Sequence, residues 1–261
     1  MKITLLSLLL SLYSIVSFAQ FEPANYMING YTLPYQVMFP ENYEEGKKYP
    51  LVIFLHGAGE KGSDNEKQLT HGKDFLINNF YSNYPAIVIV PQCPADSYWS
   101  NVERHTLKGK MKLAFGFSDK PTLPMETLIS LINNYLNSGM VDRERVYVGG
   151  LSMGGMGTFE LIWRMPDTFA AAFPICGGGD IIKLIEGTRN TALWIFHGAE
   201  DSVVPVQFSR LIDTTMNDAG YKVKYTEYPG VNHNSWDNVF QEKELVPWLF
   251  SHKIHKEGEL L

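Results

Sequence analysis

The chain has 261 residues, of which 45% are hydrophobic and 19% are charged, and its formal net charge is −6 at pH 7. This composition is typical of a soluble globular protein, and the acidic balance argues against nucleic acid as a partner. The sequence contains no internal repeat or low-complexity linker. We therefore expect a single domain over 20–261, large enough to bury a core without disulfides or metal.

The first 19 residues have the pattern of a secretory signal peptide. Lys2 supplies a positive charge, residues 3–16 are largely apolar, and Ser17 and Ala19 put small residues at positions −3 and −1 of a cleavage point. The apolar stretch is short for a membrane-spanning helix. We predict cleavage after Ala19 and a secreted or periplasmic protein without membrane attachment, the alternative being an uncleaved anchor.

Apolar, β-branched runs alternate with helical patterns along the rest of the chain. Strands are predicted at 35–39, 51–55, 87–90, 146–149, 171–176, 193–197 and 223–228, and helices at 125–137, 153–164, 207–219 and 236–252. Such alternation predicts a mainly parallel sheet covered by helices on both faces. The segment 99–124 is polar and has no clear period, so we expect a surface excursion that borders a binding cleft.

Three glycines, Gly57, Gly59 and Gly62, follow the strand at 51–55 and satisfy G-x-G-x-x-G. A dinucleotide site would also need an acidic residue at the end of the next strand, and that strand ends in VPQCP. The alternative is an oxyanion hole, in which backbone N–H groups hold a transient negative oxygen. We favour this interpretation, expect no cofactor, and predict that the Ala58 N–H is one donor.

The segment VYVGGLSMGGMG contains the nucleophile elbow G-x-S-x-G, with Ser152 between Gly150 and Gly154. A strand pattern precedes it and a helix pattern follows, as the motif requires. The serine lies on a strained turn where larger side chains two residues away would collide, which explains both glycines. We predict Ser152 as nucleophile and the Met153 N–H as the second oxyanion donor, the alternative being a tight structural turn.

A serine nucleophile needs a base, and the base needs a carboxylate that orients it. Asp201 follows the strand at 193–197 and His233 follows the last strand, which gives the chain order serine, acid, histidine. Loops at the carboxyl ends of parallel strands meet at one edge of a sheet. We therefore predict a triad of Ser152, Asp201 and His233, with Asp180 and Glu200 as rivals for the acid.

The other histidines have less specific roles. His56 is expected to brace the glycine loop, and His197 to be structural, because it closes the strand before the acid. Surface positions are expected for the rest, which are His71, His105, His252 and His255. No H-E-x-x-H or paired Cys/His spacing occurs in the sequence, so we expect no metal site.

Four residues near these loops are predicted to line a substrate cleft: Glu60, Gln92, Trp99 and Trp236. Aromatic faces there can stack on sugar rings or on an aromatic acyl group. The alternative for both tryptophans is packing in the core or at the rim.

The elbow and the segments HGAGEKG, HGAEDSVVP and NHNSW together resemble the α/β-hydrolase superfamily. Within it, residues 31–250 are similar to bacterial secreted esterases of the phospholipase/carboxylesterase and dienelactone-hydrolase-like groups, with feruloyl and acetyl-xylan esterases nearby. Dienelactone hydrolases use a cysteine nucleophile, so Ser152 favours the esterases. The resemblance does not specify the substrate, but export and exposed aromatic residues suit a polysaccharide ester, so we expect hydrolysis of acetyl or feruloyl esters of carbohydrate through an acyl-enzyme. A prolyl-oligopeptidase-like peptidase, a lysophospholipase or thioesterase, and a non-catalytic binding module are the alternatives.

The resemblance also bears on the two cysteines, Cys93 and Cys176. The strand order of the fold puts the strands before them on opposite sides of two central strands, about 14 Å apart. A disulfide needs Cα atoms within about 7 Å. We expect two free, largely buried thiols.

Overall fold

The computed structural model describes residues 20–107, 110–116, 118–188 and 190–254 of the chain. The predicted signal peptide at 1–19 and His255 lie outside these residues. The strands are β1 (Glu22–Ile28), β2 (Tyr31–Met38), β3 (Tyr49–Leu55), β4 (Ile87–Pro91), β5 (Glu103–Leu107), β6 (Lys110–Ala114), β7 (Val141–Leu151), β8 (Ala171–Ile175), β9 (Ala192–Gly198) and β10 (Val223–Tyr228). The helices are α1 (Lys73–Phe80), α2 (Leu123–Asn137), α3 (Met153–Arg164), α4 (Ile181–Gly187), α5 (Gln207–Asp218), α6 (Trp236–Val239) and α7 (Leu245–Phe250).

Eight strands form one twisted sheet in the order β1-β2-β4-β3-β7-β8-β9-β10. The six strands from β4 to β10 in this order run parallel, whereas β1 and β2 are antiparallel additions at one edge. The loops that leave the parallel strands at their carboxyl ends therefore meet along one side of the sheet. The predicted α/β-hydrolase architecture, with a mainly parallel sheet and helices on both faces, is confirmed.

Helices cover both faces of the sheet, which explains the continuous apolar strands. Every residue of β3 is buried, because its side chains alternate between two apolar cores. One core receives side chains from α2, α3, α4 and α5, and the other receives side chains from α1, α6 and α7. A strand that is covered on both faces has no polar side, so its sequence does not alternate.

The predicted elements include the second half of β2, as the strand at 35–39, but omit β1 and the turn that completes the edge hairpin. Asn29 and Gly30 link the two strands with φ values of 51° and 80°, the positive values that a type I′ turn needs at both central positions. The β1 strand is half exposed, so it lacks the apolar run that marks the central strands. The Asn-Gly pair was the signal that could have revealed it.

The C-terminal helix prediction is wrong in one respect. Residues 236–252 form two short helices, α6 and α7, separated by a turn at 240–244. Pro247 lies in the first turn of α7, where its missing N–H costs no helical hydrogen bond. A continuous helix would place this proline in the interior, so the chain ends one helix and begins another.

The excursion at 99–124 contains the two-stranded β5–β6 hairpin rather than irregular loop alone. After the hairpin, the Phe115 ring packs over Gly178 and meets the Phe208 ring edge to face at 5.6 Å. Gly178 follows β8 at the carboxyl side of the sheet. The segment thus borders the edge where the strand-end loops gather, as expected.

The strand order separates the two cysteines as expected. Cys93 follows β4 and Cys176 follows β8, with β3 and β7 between them, and both thiols are free and buried. Burial raises the pKa of the Cys93 thiol to about 12. Among the residues that the structure describes, no helix is long and apolar enough to cross a membrane.

Candidate active site

Ser152 lies on the sharp turn between β7 and α3. Its φ is 53° and its ψ is −114°, a strained conformation for a residue with a side chain. The Ser152 N–H donates to the Ile175 carbonyl at 2.8 Å. A Cβ atom on Gly150 would lie 2.6 Å from the Leu55 carbonyl oxygen, and one on Gly154 would lie 2.0 Å from it. Both glycines are therefore required for the turn to lie against β3.

Three side chains from separate strand ends meet at this turn. The His233 Nε2 accepts from the Ser152 hydroxyl at 2.9 Å, and the His233 Nδ1 donates to an Asp201 carboxylate oxygen at 2.7 Å. The serine follows β7, the acid follows β9 and the histidine follows β10. The structure thus brings together the three residues predicted as a triad, in the hydrogen-bond order that acyl transfer needs.

The Asp201 side chain is fully buried and held at both oxygens. One oxygen accepts from the Val203 and Val204 N–H groups, each at 2.8 Å. The other lies 2.7 Å from His233 and 3.2 Å from the His197 Nε2. Burial favours the neutral acid, but the hydrogen bonds from the two histidines outweigh it and hold the pKa of the Asp201 carboxyl below its usual range. The acid is therefore a carboxylate at neutral pH.

His197 supports the acid from inside the protein. Its Nδ1 accepts from the Ser209 hydroxyl at 2.7 Å, and its Nε2 donates to the Val204 carbonyl at 3.0 Å. With these partners the Nε2 carries an N–H that is directed toward the Val204–Asp201 turn. The contacts agree with the structural role expected for His197.

Asn232 joins the acid loop to the histidine loop, and sequence reasoning missed it. Its amide oxygen accepts from the His233 N–H at 2.8 Å, from the Ser202 N–H at 2.9 Å and from the Ser202 hydroxyl at 3.0 Å. Gly198 allows the two loops to touch, because a Cβ atom there would lie 2.3 Å from the Asn232 carbonyl oxygen. Direct contact between the two loops therefore fixes the distance between Asp201 and His233.

The two rivals for the acid have other positions. Asp180 is the N-cap of α4, where its carboxylate accepts from the Ile182 and Lys183 N–H groups. Glu200 is exposed, and its backbone N–H donates to the Val231 carbonyl. The carboxylate in contact with His233 is that of Asp201.

The glycine loop packs against both sides of the elbow, at the end of β7 and at Gly154 in the first turn of α3. Gly57 contacts Leu151, since a Cβ atom on Gly57 would lie 2.7 Å from a Leu151 methyl carbon. A short 3-10 helix, Ala58–Glu60, follows it. Met153 is the first residue of α3, and the first N–H groups of a helix have no acceptor within the helix. The predicted donors Ala58 and Met153 thus belong to backbone segments that meet beside the elbow.

The His56 side chain holds the glycine loop in place through two hydrogen bonds, as expected. Its Nδ1 donates to the Gly57 carbonyl at 2.6 Å and its Nε2 accepts from the Cys93 N–H at 2.9 Å. Burial lowers the pKa of His56 to about 4, although the bond to Gly57 acts in the opposite direction. Protonation of the Nε2 would break the bond to Cys93, so the loop depends on a neutral ring.

We expect this histidine to make stability depend on pH. The unfolded chain binds the His56 proton near pH 6.5 and the folded chain only near pH 4, so stability decreases as pH falls through that window. Between pH 7 and pH 5 the His56 contribution to the free energy of unfolding should fall by about 2 kcal/mol. Urea unfolding at both pH values should show that His56→Gln loses this dependence, whereas His105→Gln, at an exposed histidine, retains it. Equal pH dependence in all three proteins would contradict the assignment.

Two residues expected to line the cleft are instead in the interior, and that expectation is wrong. Gln92 is fully buried and ties the glycine loop together, donating to the Glu60 carbonyl and accepting from the Asn65 N–H. Trp99 is also fully buried and packs directly on Gly157 of α3. Neither side chain offers a surface to a substrate. Their effect on the site is indirect, through contacts that position the glycine loop and α3.

Of the other two residues, Trp236 is partly exposed beside the catalytic histidine, whereas Glu60 is largely buried. The Trp236 ring meets the His233 ring edge to face at 5.4 Å and lies 5.2 Å from the His71 ring. The His71 Nε2 is 3.7 Å from a carboxylate oxygen of Glu60, whose side chain is 11% exposed. His71 was expected to be an ordinary surface residue, but its neighbours place it at the rim. Substrate contact by Glu60 and Trp236 remains a prediction.

One set of potential metal ligands occurs among the described residues. Donor atoms of Cys176, Asp201 and His233 lie within 4.8 Å of one another. Asp201 and His233 are already hydrogen bonded to each other, and burial raises the pKa of the Cys176 thiol well above its usual range. A metal needs the thiolate, so these donors do not suit one. The expectation that the site uses no metal remains an expectation.

Comparisons with known proteins agree with this geometry. A family model described as phospholipase/carboxylesterase matches residues 42–244. The structure of a thermostable esterase superposes with a TM-score of 0.74 and 35% identity, covering 90% of this chain and 63% of the other.

Curated relatives are more distant in sequence. An acyl-protein thioesterase 1 from Gibberella zeae is 27% identical, covering 74% of this chain and 87% of the relative. An uncharacterized secreted protein from Arthroderma benhamiae is 24% identical over 80% of this chain, which spans only 24% of that protein. The family match extends over most of the chain, from before β3 to α6, and includes the elbow and both loops that carry the acid and the histidine. The chain therefore belongs to the phospholipase/carboxylesterase family of serine hydrolases.

Proposed function

We propose that this protein is an exported serine esterase that cleaves acetyl or feruloyl esters of carbohydrate through an acyl-enzyme. The observation that carries the proposal is the hydrogen-bonded chain from the Ser152 hydroxyl through His233 to the buried Asp201 carboxylate. A serine hydroxyl becomes nucleophilic when such a base can accept its proton.

In the first step, the Ser152 Oγ attacks the carbonyl carbon of the ester while the His233 Nε2 takes the hydroxyl proton. The Asp201 carboxylate stabilises the imidazolium that results. The carbonyl oxygen becomes an oxyanion, which the Ala58 and Met153 N–H groups hold. Removing one such donor typically costs a factor of about 10²–10³ in rate.

In the second step, the imidazolium gives its proton to the leaving alcohol as the bond between carbon and alcohol oxygen breaks. Water then enters, His233 takes its proton, and the resulting hydroxide attacks the acyl carbon. The proton returns to the Ser152 Oγ as the acid is released. Each proton passes through one nitrogen of His233, and the cycle requires no cofactor or metal.

Two features favour a carbohydrate ester over a lipid or a peptide. The Trp236 ring, beside His233, and the polar His71 ring, beside Trp236, are both partly exposed, and an aromatic and polar rim suits a hydroxylated alcohol. The similar solved structure with 35% identity is described as an esterase. Export rests on the signal pattern at 1–19, and one relative is described as a secreted protein.

A panel of substrates tests this proposal. We expect release of acetate from acetylated xylo-oligosaccharides or of ferulate from feruloylated ones, with kcat/KM at least tenfold above that for lysophosphatidylcholine, a palmitoyl thioester and a prolyl peptide anilide. Ser152→Ala serves as the control for contaminating esterases. The highest kcat/KM on the lipid or thioester would support a lysophospholipase or thioesterase, and the highest on the anilide a peptidase. If neither wild type nor Ser152→Ala hydrolyses any of these substrates, the protein is a binding module.

A further inference from the structure

A groove of about 620 Å³ lies between the start of α1 and α6. Its floor includes the Phe75 and Phe240 rings, which stack on each other with centroids 5.1 Å apart. Sites for small ligands usually have volumes of about 300–1,000 Å³. The groove is therefore large enough to hold a substantial part of a substrate.

The Trp236 ring separates the groove from the catalytic imidazole. His71 lines the groove, and its ring lies 5.2 Å from the Trp236 ring, which lies 5.4 Å from the His233 ring. Asp237, the residue after Trp236, also lines it. Two ring-to-ring contacts thus connect the groove to the group that protonates the leaving alcohol.

This connection determines which half of an ester the groove can hold. In acyl transfer the histidine donates its proton to the alcohol oxygen, so the alcohol leaves on the histidine side of the serine. The groove, which the Trp236 ring joins to His233, therefore suits the alcohol.

The chemistry of the groove suits a neutral, hydroxylated alcohol. Thr70 and Asn78 offer a hydroxyl and an amide that can both donate and accept hydrogen bonds. Asn79 offers its amide oxygen, since its Nδ2 donates to the Phe75 carbonyl at 2.8 Å. The charged lining residues have both signs, with Lys73 opposite in charge to Asp74 and Asp237. A fatty chain would leave these polar groups without partners, which is unfavourable.

We propose that this groove is the leaving-alcohol subsite and binds a sugar chain extending from the esterified sugar. The assignment rests on the proposed function, because it takes the alcohol to be a carbohydrate. Sugar hydroxyls pair with Asn78 and Asn79, and the sugar's apolar face lies toward Phe240. The groove thereby favours oligosaccharide esters over esters of small alcohols without any change to the catalytic groups.

The test fills the groove and compares two substrates. Asn78 is exposed on α1, so Asn78→Trp places a large ring in the groove without disturbing a buried contact. Asn134→Trp is the matched control, on an exposed position of α2 at the other face of the sheet. We expect Asn78→Trp to lower kcat/KM for an acetylated xylo-oligosaccharide at least tenfold and to leave p-nitrophenyl acetate within twofold. Asn134→Trp should change neither.

The outcomes separate this inference from the proposed function. If wild type releases no acyl group from any carbohydrate ester, the proposed function fails and the groove assignment fails with it. If wild type cleaves the oligosaccharide ester but Asn78→Trp has no effect, the groove assignment alone is overturned. The same holds if the variant loses activity equally on both substrates while its melting temperature matches that of Asn134→Trp, because a subsite for sugar would not affect p-nitrophenyl acetate.

Discussion

Ser152→Ala is expected to lower kcat/KM for p-nitrophenyl acetate by a factor of about 10⁵. The variant keeps the base, the acid and the oxyanion donors, but no oxygen remains to form the acyl-enzyme. The Ser152 hydroxyl has a single side-chain partner, His233, in the described structure. Its loss should therefore change the free energy of unfolding by less than about 1 kcal/mol. Steady-state kinetics and urea unfolding of the same preparation measure the two effects.

Ser82→Ala is the matched serine control. Its hydroxyl bonds the exposed Glu41 carboxylate, on the surface and outside the candidate site. We expect wild-type kinetics from this variant. Wild-type-like turnover in a homogeneous Ser152→Ala preparation would refute the mechanism, because no other serine side chain is hydrogen bonded to His233 among the residues described.

Gly154→Ala is expected to reduce the free energy of unfolding by about 3 kcal/mol, with a decrease in Tm of roughly 6–12 °C. The added Cβ would lie 2.0 Å from the Leu55 carbonyl oxygen and 2.8 Å from that of His56. Both obstacles are backbone atoms, so relief requires α3 to move away from the end of β3. That movement would also separate Met153 from the glycine loop, so kcat should fall with stability.

Gly59→Ala is the control for this substitution. Gly59 lies in the glycine loop, but a Cβ atom there would meet no atom within 4 Å. Its free energy of unfolding should remain within about 0.5 kcal/mol of the wild-type value. Thermal and urea unfolding of both variants provide the comparison. Equal stability of Gly154→Ala and Gly59→Ala would show that the contact between α3 and β3 is looser than the structure indicates.

The sequence was sufficient to predict the sheet and the three central side chains, for physical reasons. Buried parallel strands carry continuous apolar runs, and the elbow has steric demands that only glycines at 150 and 154 satisfy. Chain order and the convergence of strand ends then left Asp201 and His233 as partners for Ser152. Each of these signals depends on local chemistry or on a general rule of topology.

The cleft lining could not be predicted in the same way. Gln92 and Trp99 follow a strand end, where the direction of a side chain depends on what packs against it. Trp99 is buried because Gly157, from a distant helix, leaves room for it. His71 shows the opposite case, because the partner that brings it to the rim is Trp236, from the far end of the chain. Such contacts between distant segments leave no periodic pattern in the sequence.

The distribution of the three central residues along the chain has a consequence for folding. The serine and the histidine are 81 residues apart, and the acid and the histidine are 32 apart, yet each pair is joined by a hydrogen bond. These bonds exist only when β7, β9 and β10 have all reached their native positions. A chain that is partly folded, or that has lost its last strand, therefore carries an unactivated serine. Hydrolytic activity thus reports that the far half of the sheet is complete.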